Sequence, residues 1–254
     1  MNKFWVLVVV VLLSGCVTER HVAGEDRAIQ KVDKKAAANT RVSLGLRYLE
    51  SGESEKAKLN LEMAEELDPS SVLVFLAQAH FYQEVEQFDL ADEAFRKALS
   101  IEPNNGDTLN NYAVMNCKQG NYQQADILFQ RALSNKAYLG VGNTNENAGL
   151  CALRSQDSAK ALVYFKKALA FDSQLSRSML GVAKIYIQEQ QYALARDYLN
   201  RHSLTKAENA ESIFAWLQLE SASGNFAEEA RLGQILLGKY PNSEQTKRYI
   251  GNDY

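Results

Sequence analysis

An all-α solenoid of about six helix-turn-helix repeats is the fold class predicted by this 254-residue sequence, from three observations made in one register. Pro69 and Pro103 stand 34 residues apart, and Pro241, the third and last proline, lies 138 further on, four periods plus two. Counted so that proline takes position 32, alanine or glycine recurs at positions 8, 20 and 27. Tyrosine, phenylalanine or leucine recurs at positions 11 and 24.

The front of the chain comes before the register. Lys3 and the amino terminus precede an apolar run from Phe4 to Leu13. Ten apolar residues are too few to span a bilayer, which needs about 20, but they suit the core of a secretory signal. The run ends in Leu13-Ser14-Gly15-Cys16, a string that resembles the lipobox of bacterial lipoproteins. The resemblance implies a lipoprotein signal peptide over 1–15 and an acylated Cys16, carrying palmitate, as the first mature residue. The lipid is then the only covalent group expected; no cofactor is. Val17 after the cysteine favours the outer membrane by the sorting pattern of such lipoproteins, with the repeats facing the periplasm. Residues 16–37 read as the lipidated cysteine followed by a charged tether that turns helical toward Ala36.

Six repeats follow, at 38–71, 72–105, 106–139, 142–175, 176–209 and 210–243, with 244–254 as a C-terminal tail. The first supplies Gly45, Tyr48, Ala57, Leu61, Ala64 and Pro69; the second supplies Ala79, Tyr82, Ala91, Phe95, Ala98 and Pro103. Ala113, Ala125, Phe129 and Ala132 mark the third, and Gly149, Ala161, Phe165 and Ala168 the fourth, after a two-residue insertion. The fifth keeps Ala183, Tyr186, Ala195 and Leu199 but has His202 at position 27. In the sixth only Gly224, Phe226 and Pro241 hold the pattern, as befits a capping repeat. This register resembles the tetratricopeptide repeat, which implies a right-handed superhelix. Its physical content is plain: antiparallel helices approach closely where facing side chains are small, and large ones at 11 and 24 fill the space between pairs.

Charge and chemistry exclude several classes. Loss of Lys3 with the signal leaves 27 Lys+Arg against 31 Asp+Glu, a net −4 with no basic stripe, so nucleic acid is not an expected partner. His21, His80 and His202 have no metal-ligand spacing, and the cysteines form no C-x₂-C. There is no G-x-S-x-G elbow, and carboxylates spread over exposed helix faces. No enzyme, small-molecule substrate or metal is therefore expected. Cys117 and Cys151 fall late in the first helices of adjacent repeats. They read either as a disulfide, which an oxidising compartment permits, or as two small buried hydrophobes; the disulfide is the expectation.

Local strings resemble one family over nearly the whole chain: Leu44-Gly45-Leu46 with Tyr48-Leu49, Leu109-Asn110-Asn111-Tyr112-Ala113, Glu146-Asn147-Ala148-Gly149-Leu150-Cys151, and Tyr240-Pro241. These resemble the PilW/PilF proteins of type IV pilus biogenesis and stability, the pilotin lipoproteins. The resemblance implies an adaptor that binds the pilus secretin and promotes its outer-membrane localisation and multimerisation. A scaffold for peptidoglycan-synthesis or hydrolysis enzymes is the alternative for the same architecture. The concave face is expected to be lined by positions 2, 5, 9 and 12 of the first helices. That assigns Val42, Leu46, Leu49, Leu73, Leu76 and His80 to an apolar groove, with Asn110 and Glu146 in a polar stretch beyond it. Alternatively, a capping helix over 27–35 covers these leucines.

Overall fold

The computed structural model describes residues 33–252; the signal segment, Cys16 and most of the tether lie outside them. Among the described residues there are thirteen α-helices and no strands. They pair as α1 (Lys34–Glu50) with α2 (Ser54–Leu67), α3 (Val72–Glu84) with α4 (Phe88–Ile101), and α5 (Gly106–Lys118) with α6 (Tyr122–Ser134). Next come α7 (Val141–Arg154) with α8 (Ser158–Phe171), α9 (Ser176–Gln188) with α10 (Tyr192–Thr205), and α11 (Ala210–Ala222) with α12 (Phe226–Lys239). A short α13 (Glu244–Ile250) follows. First helices of successive repeats pack side by side, α1 on α3, α5 on α7, α7 on α9 and α9 on α11. Second helices pack chiefly against the helices just before and after them, so the first helices form the inner row.

Small residues face large ones across each pair. A Cβ on Gly45 would lie 2.9 Å from the Leu61 side chain, and one on Gly149 2.7 Å from the Phe165 ring. Phe165 is fully buried, gripped from the next repeat as well, where a Cβ on Gly181 would overlap it. Position 15, the turn inside each repeat, is left-handed every time. Gly52, Gly120 and Gly224 take it at φ 78–82°, and Glu86, Gln156 and Gln190 take it at φ 58–63°. Glycine does this without steric cost, whereas a side chain costs roughly 1–2 kcal/mol there.

The C-terminal end departs from expectation. Residues 244–250 form α13 rather than a tail, started by Ser243, whose hydroxyl accepts the Thr246 N–H at 3.1 Å. In the sixth repeat position 24 is Gly233, where a large residue belongs. Tyr249 of α13 fills the gap so closely that a Cβ on Gly233 would overlap its ring. The solenoid thus ends on a seventh first helix that completes the sixth repeat's core. His202, at position 27 of the fifth repeat where the first four repeats place alanine, is also buried, its Nε2 2.8 Å from the Ser176 hydroxyl.

Candidate partner-binding groove

The sequence places positions 2, 5, 9 and 12 of the inner row before a partner, and position 5 is covered in four of the six repeats, all but the second and third. Val42 is 3% exposed and packs with Ala57, Leu61, Val74, Ala77 and Phe81, because α3 lies against that side of α1. Leu180 and Phe214, at position 5 of the fifth and sixth repeats, are buried in the same way. Where it is covered, position 5 is a seam between first helices, so Val42 is removed from the groove. Leu46 and Leu49 are half-buried against the same cluster, and Leu76 is half-buried against the next. Leu73, at position 2, is 48% exposed, and His80 is exposed with its Nδ1 4.0 Å from Glu84. On the inner row of the first two repeats the apolar surface is therefore Leu73 together with the outer faces of Leu46, Leu49 and Leu76.

Farther along, the polar positions are committed to joining repeats. Glu146 is 3% exposed. Its carboxylate accepts from Arg177 Nε at 2.8 Å and Nη2 at 2.7 Å, and from the Ser178 backbone N–H and hydroxyl, each at 2.9 Å. Leu175, the N-cap of α9, has no side-chain acceptor to offer, so a carboxylate from the preceding repeat satisfies that helix's free N–H and favours its positive end. Asn147 Nδ2 donates to Asn110 Oδ1 at 3.1 Å, tying α7 to α5. Cys117 and Cys151, each buried, are joined with their Cα atoms 5.8 Å apart, crossing the same α5–α7 seam. Between α10 and α11, Glu220 accepts from Arg196 at 2.6 Å and from Asn225 at 2.8 Å. The Arg196 hydrogen bond holds the Glu220 carboxyl below the usual carboxylate range, and the same guanidinium lies 5.5 Å from the Trp216 ring centre.

Tyr164 donates to Asp126 at 2.7 Å, and burial with that carboxylate raises its pKa to about 12, which suits a structural hydroxyl. No group of three metal-ligating side chains occurs among the described residues. Nor is any described helix long and apolar enough to cross a membrane. The seam roles of Glu146 and Glu220 have no signal in sequence, where Glu146 reads as a polar groove residue and Glu220 as a solvated charge.

Residues 74–105 and 104–174 match tetratricopeptide-repeat family models, and the chain is a tetratricopeptide-repeat solenoid protein. Across 246 residues, 96% of each chain, it is 31% identical to the type IV pilus assembly protein PilF of Pseudomonas aeruginosa. The chain belongs to that family. The solved structure of P. aeruginosa PilF superposes with a TM-score of 0.75 at 30% identity, covering 86% of this chain and 99% of that one. PilW, a widely conserved type IV pilus biogenesis factor, superposes at 0.74 with 26% identity, covering 84% of this chain and 98% of its own.

Proposed function

We propose that this protein is an outer-membrane lipoprotein adaptor for type IV pilus assembly, holding the secretin so that it localises and multimerises. Family membership along nearly the whole chain supports a pilus role, and the lipobox at Cys16 supports anchoring by lipid in the cell envelope, the repeats facing the periplasm. The observation that carries the binding surface is Leu73. It stands 48% exposed on the inner row, one helical turn before the half-buried Leu76, with the half-buried Leu46 and Leu49 farther along the neighbouring first helix. Apolar anchors presented along a groove are how helical scaffolds take up a partner segment. The Cys117–Cys151 bond, formed in the oxidising periplasm, holds the third and fourth repeats in register beside this surface.

The test is a blot for secretin multimers in a strain lacking the protein and complemented with variants. Leu73→Glu should support few multimers while its far-UV circular dichroism matches the parent. Asn143→Glu, at the equivalent exposed position of the fourth repeat, should support them normally. Equal multimers from both folded variants would remove the groove from secretin binding.

A further inference from the structure

We propose that the solenoid edge bearing the turns between repeats rests on a lipid bilayer, with Ile101, Leu139, Phe171 and Leu204 in the interface. The idea rests on the anchored reading above, and adds an orientation and a contact surface to it.

These turns form one continuous edge. Asn135 Nδ2 donates to the Asn104 carbonyl at 2.9 Å, and Arg131 to the Pro103 carbonyl at 3.1 Å. Tyr240 donates to the Glu208 carbonyl at 3.1 Å, and Ile101 and Leu139 line one shared cleft. Four consecutive repeats each place a large apolar side chain at this edge. Leu139 is 97% exposed, Leu204 87%, Phe171 67% and Ile101 37%. A single exposed leucine needs no explanation, but one per repeat in the last turn of the second helix (Ile101, Phe171, Leu204) or in the turn after it (Leu139) is a pattern. Leu139 is also held outward on a fixed turn. The Tyr138 ring packs so closely on Gly106 and Gly140 that a Cβ on either would overlap it, and its hydroxyl bonds Thr144 at 2.9 Å. The two-residue insertion builds this projection. The opposite edge has no such run: its turns 119–121 and 155–157 are polar residues and glycine, and large exposed apolar side chains directly follow its turns only at Phe88 (37%) and Phe226 (70%), in the second and sixth repeats.

Two further observations select lipid as the occupant. The N-terminus of α1 lies at the same edge as the starts of the later first helices, because each of them follows a turn of this edge. Cys16 precedes Lys34 by only 18 residues, which span at most about 60 Å extended and roughly 25 Å as a coil. A chain anchored at Cys16 therefore favours this edge over the other, which lies about 20 Å farther from the tether's attachment. The charge fits apolar insertion and not attraction to anionic headgroups: the turns carry Asp68, Glu102, Asp172 and Glu208 against Lys136 and Lys206, a net −2. A tether keeps the local concentration high, so separate side chains that would bind weakly alone can stay inserted.

The test uses full-length acylated protein in phosphatidylcholine vesicles, in a Trp216→Phe background, carrying Leu139→Trp, Phe171→Trp or, on the opposite edge, Gln119→Trp. Flotation with the vesicles reports the anchor. Quenching by brominated acyl chains reports the edge, with a roughly twofold loss of emission expected for Leu139→Trp and Phe171→Trp and none for Gln119→Trp. Binding of the edge should not need anionic lipid. Flotation without quenching, equal quenching of all three, or quenching only with anionic lipid overturns the proposal. Failure to float overturns the anchor, and the orientation falls with it.

Discussion

Removing the Glu146 carboxylate should weaken the junction between the fourth and fifth repeats more than any other single polar change on the inner row. In Glu146→Ala the Ser178 N–H, fully buried, loses its acceptor. An unsatisfied buried donor costs about 1–3 kcal/mol. The Ser178 hydroxyl can turn to a carbonyl in its own helix and loses less. Arg177, whose side chain is 56% exposed, regains water and adds little. The sum is about 2–4 kcal/mol, near the lower end of what breaking a buried charge pair costs. Glu146→Gln keeps one oxygen for the N–H and should cost about 1 kcal/mol. Because solenoid stability is a sum of repeat and nearest-neighbour terms, the loss is local. Urea unfolding followed by circular dichroism should become biphasic in Glu146→Ala, the repeats after the fourth melting first. A single transition within about 0.5 kcal/mol of the parent would refute the assignment of Glu146 as the cap of α9.

Gly181→Ala should destabilise by about 1–3 kcal/mol through overpacking against the Phe165 ring, and calorimetry of Gly181→Ala and Phe165→Leu/Gly181→Ala would show recovery in the double variant. His202 has a lowered pKa, chiefly because burial disfavours its charged form, with Lys206 adding to this and Glu211 opposing it. Its unfolded chain therefore takes up protons first. Stability is fully present above about pH 6.5 and falls as pH drops from there toward the folded pKa, so the loss between pH 7.5 and 5.5 should shrink in His202→Gln; an unchanged slope contradicts it. Cys117 and Cys151 should resist alkylation until reduced in protein taken from the periplasm, and two alkylatable thiols in the folded protein would exclude the disulfide there. Cys16→Ala should abolish palmitate labelling and outer-membrane fractionation, and a labelled alanine variant would remove the anchor.

What was legible in sequence is what a single repeat must contain. Gly45 against Leu61 and Gly149 against Phe165 are contacts within one helix pair, repeated because each pair solves the same packing problem. What was not legible depends on the neighbouring repeat. Val42 looks like a groove residue by its position, yet α3 covers it. Gly233 breaks the pattern because its filling residue, Tyr249, arrives from the following helix, which was read as a tail. Glu146 falls in the groove by its register position, yet its carboxylate is taken up by the start of α9. The exposed Leu73 was found because position 2 has no neighbour to cover it.

The most direct measurement is binding between the purified protein and solubilised secretin, titrated calorimetrically with the parent and with folded Leu73→Glu. An apolar anchor lost from the groove predicts at least a tenfold weaker affinity for Leu73→Glu, the equivalent of about 1.4 kcal/mol. Unchanged affinity in a variant that keeps its helical content would contradict the claim that the first two repeats hold the secretin.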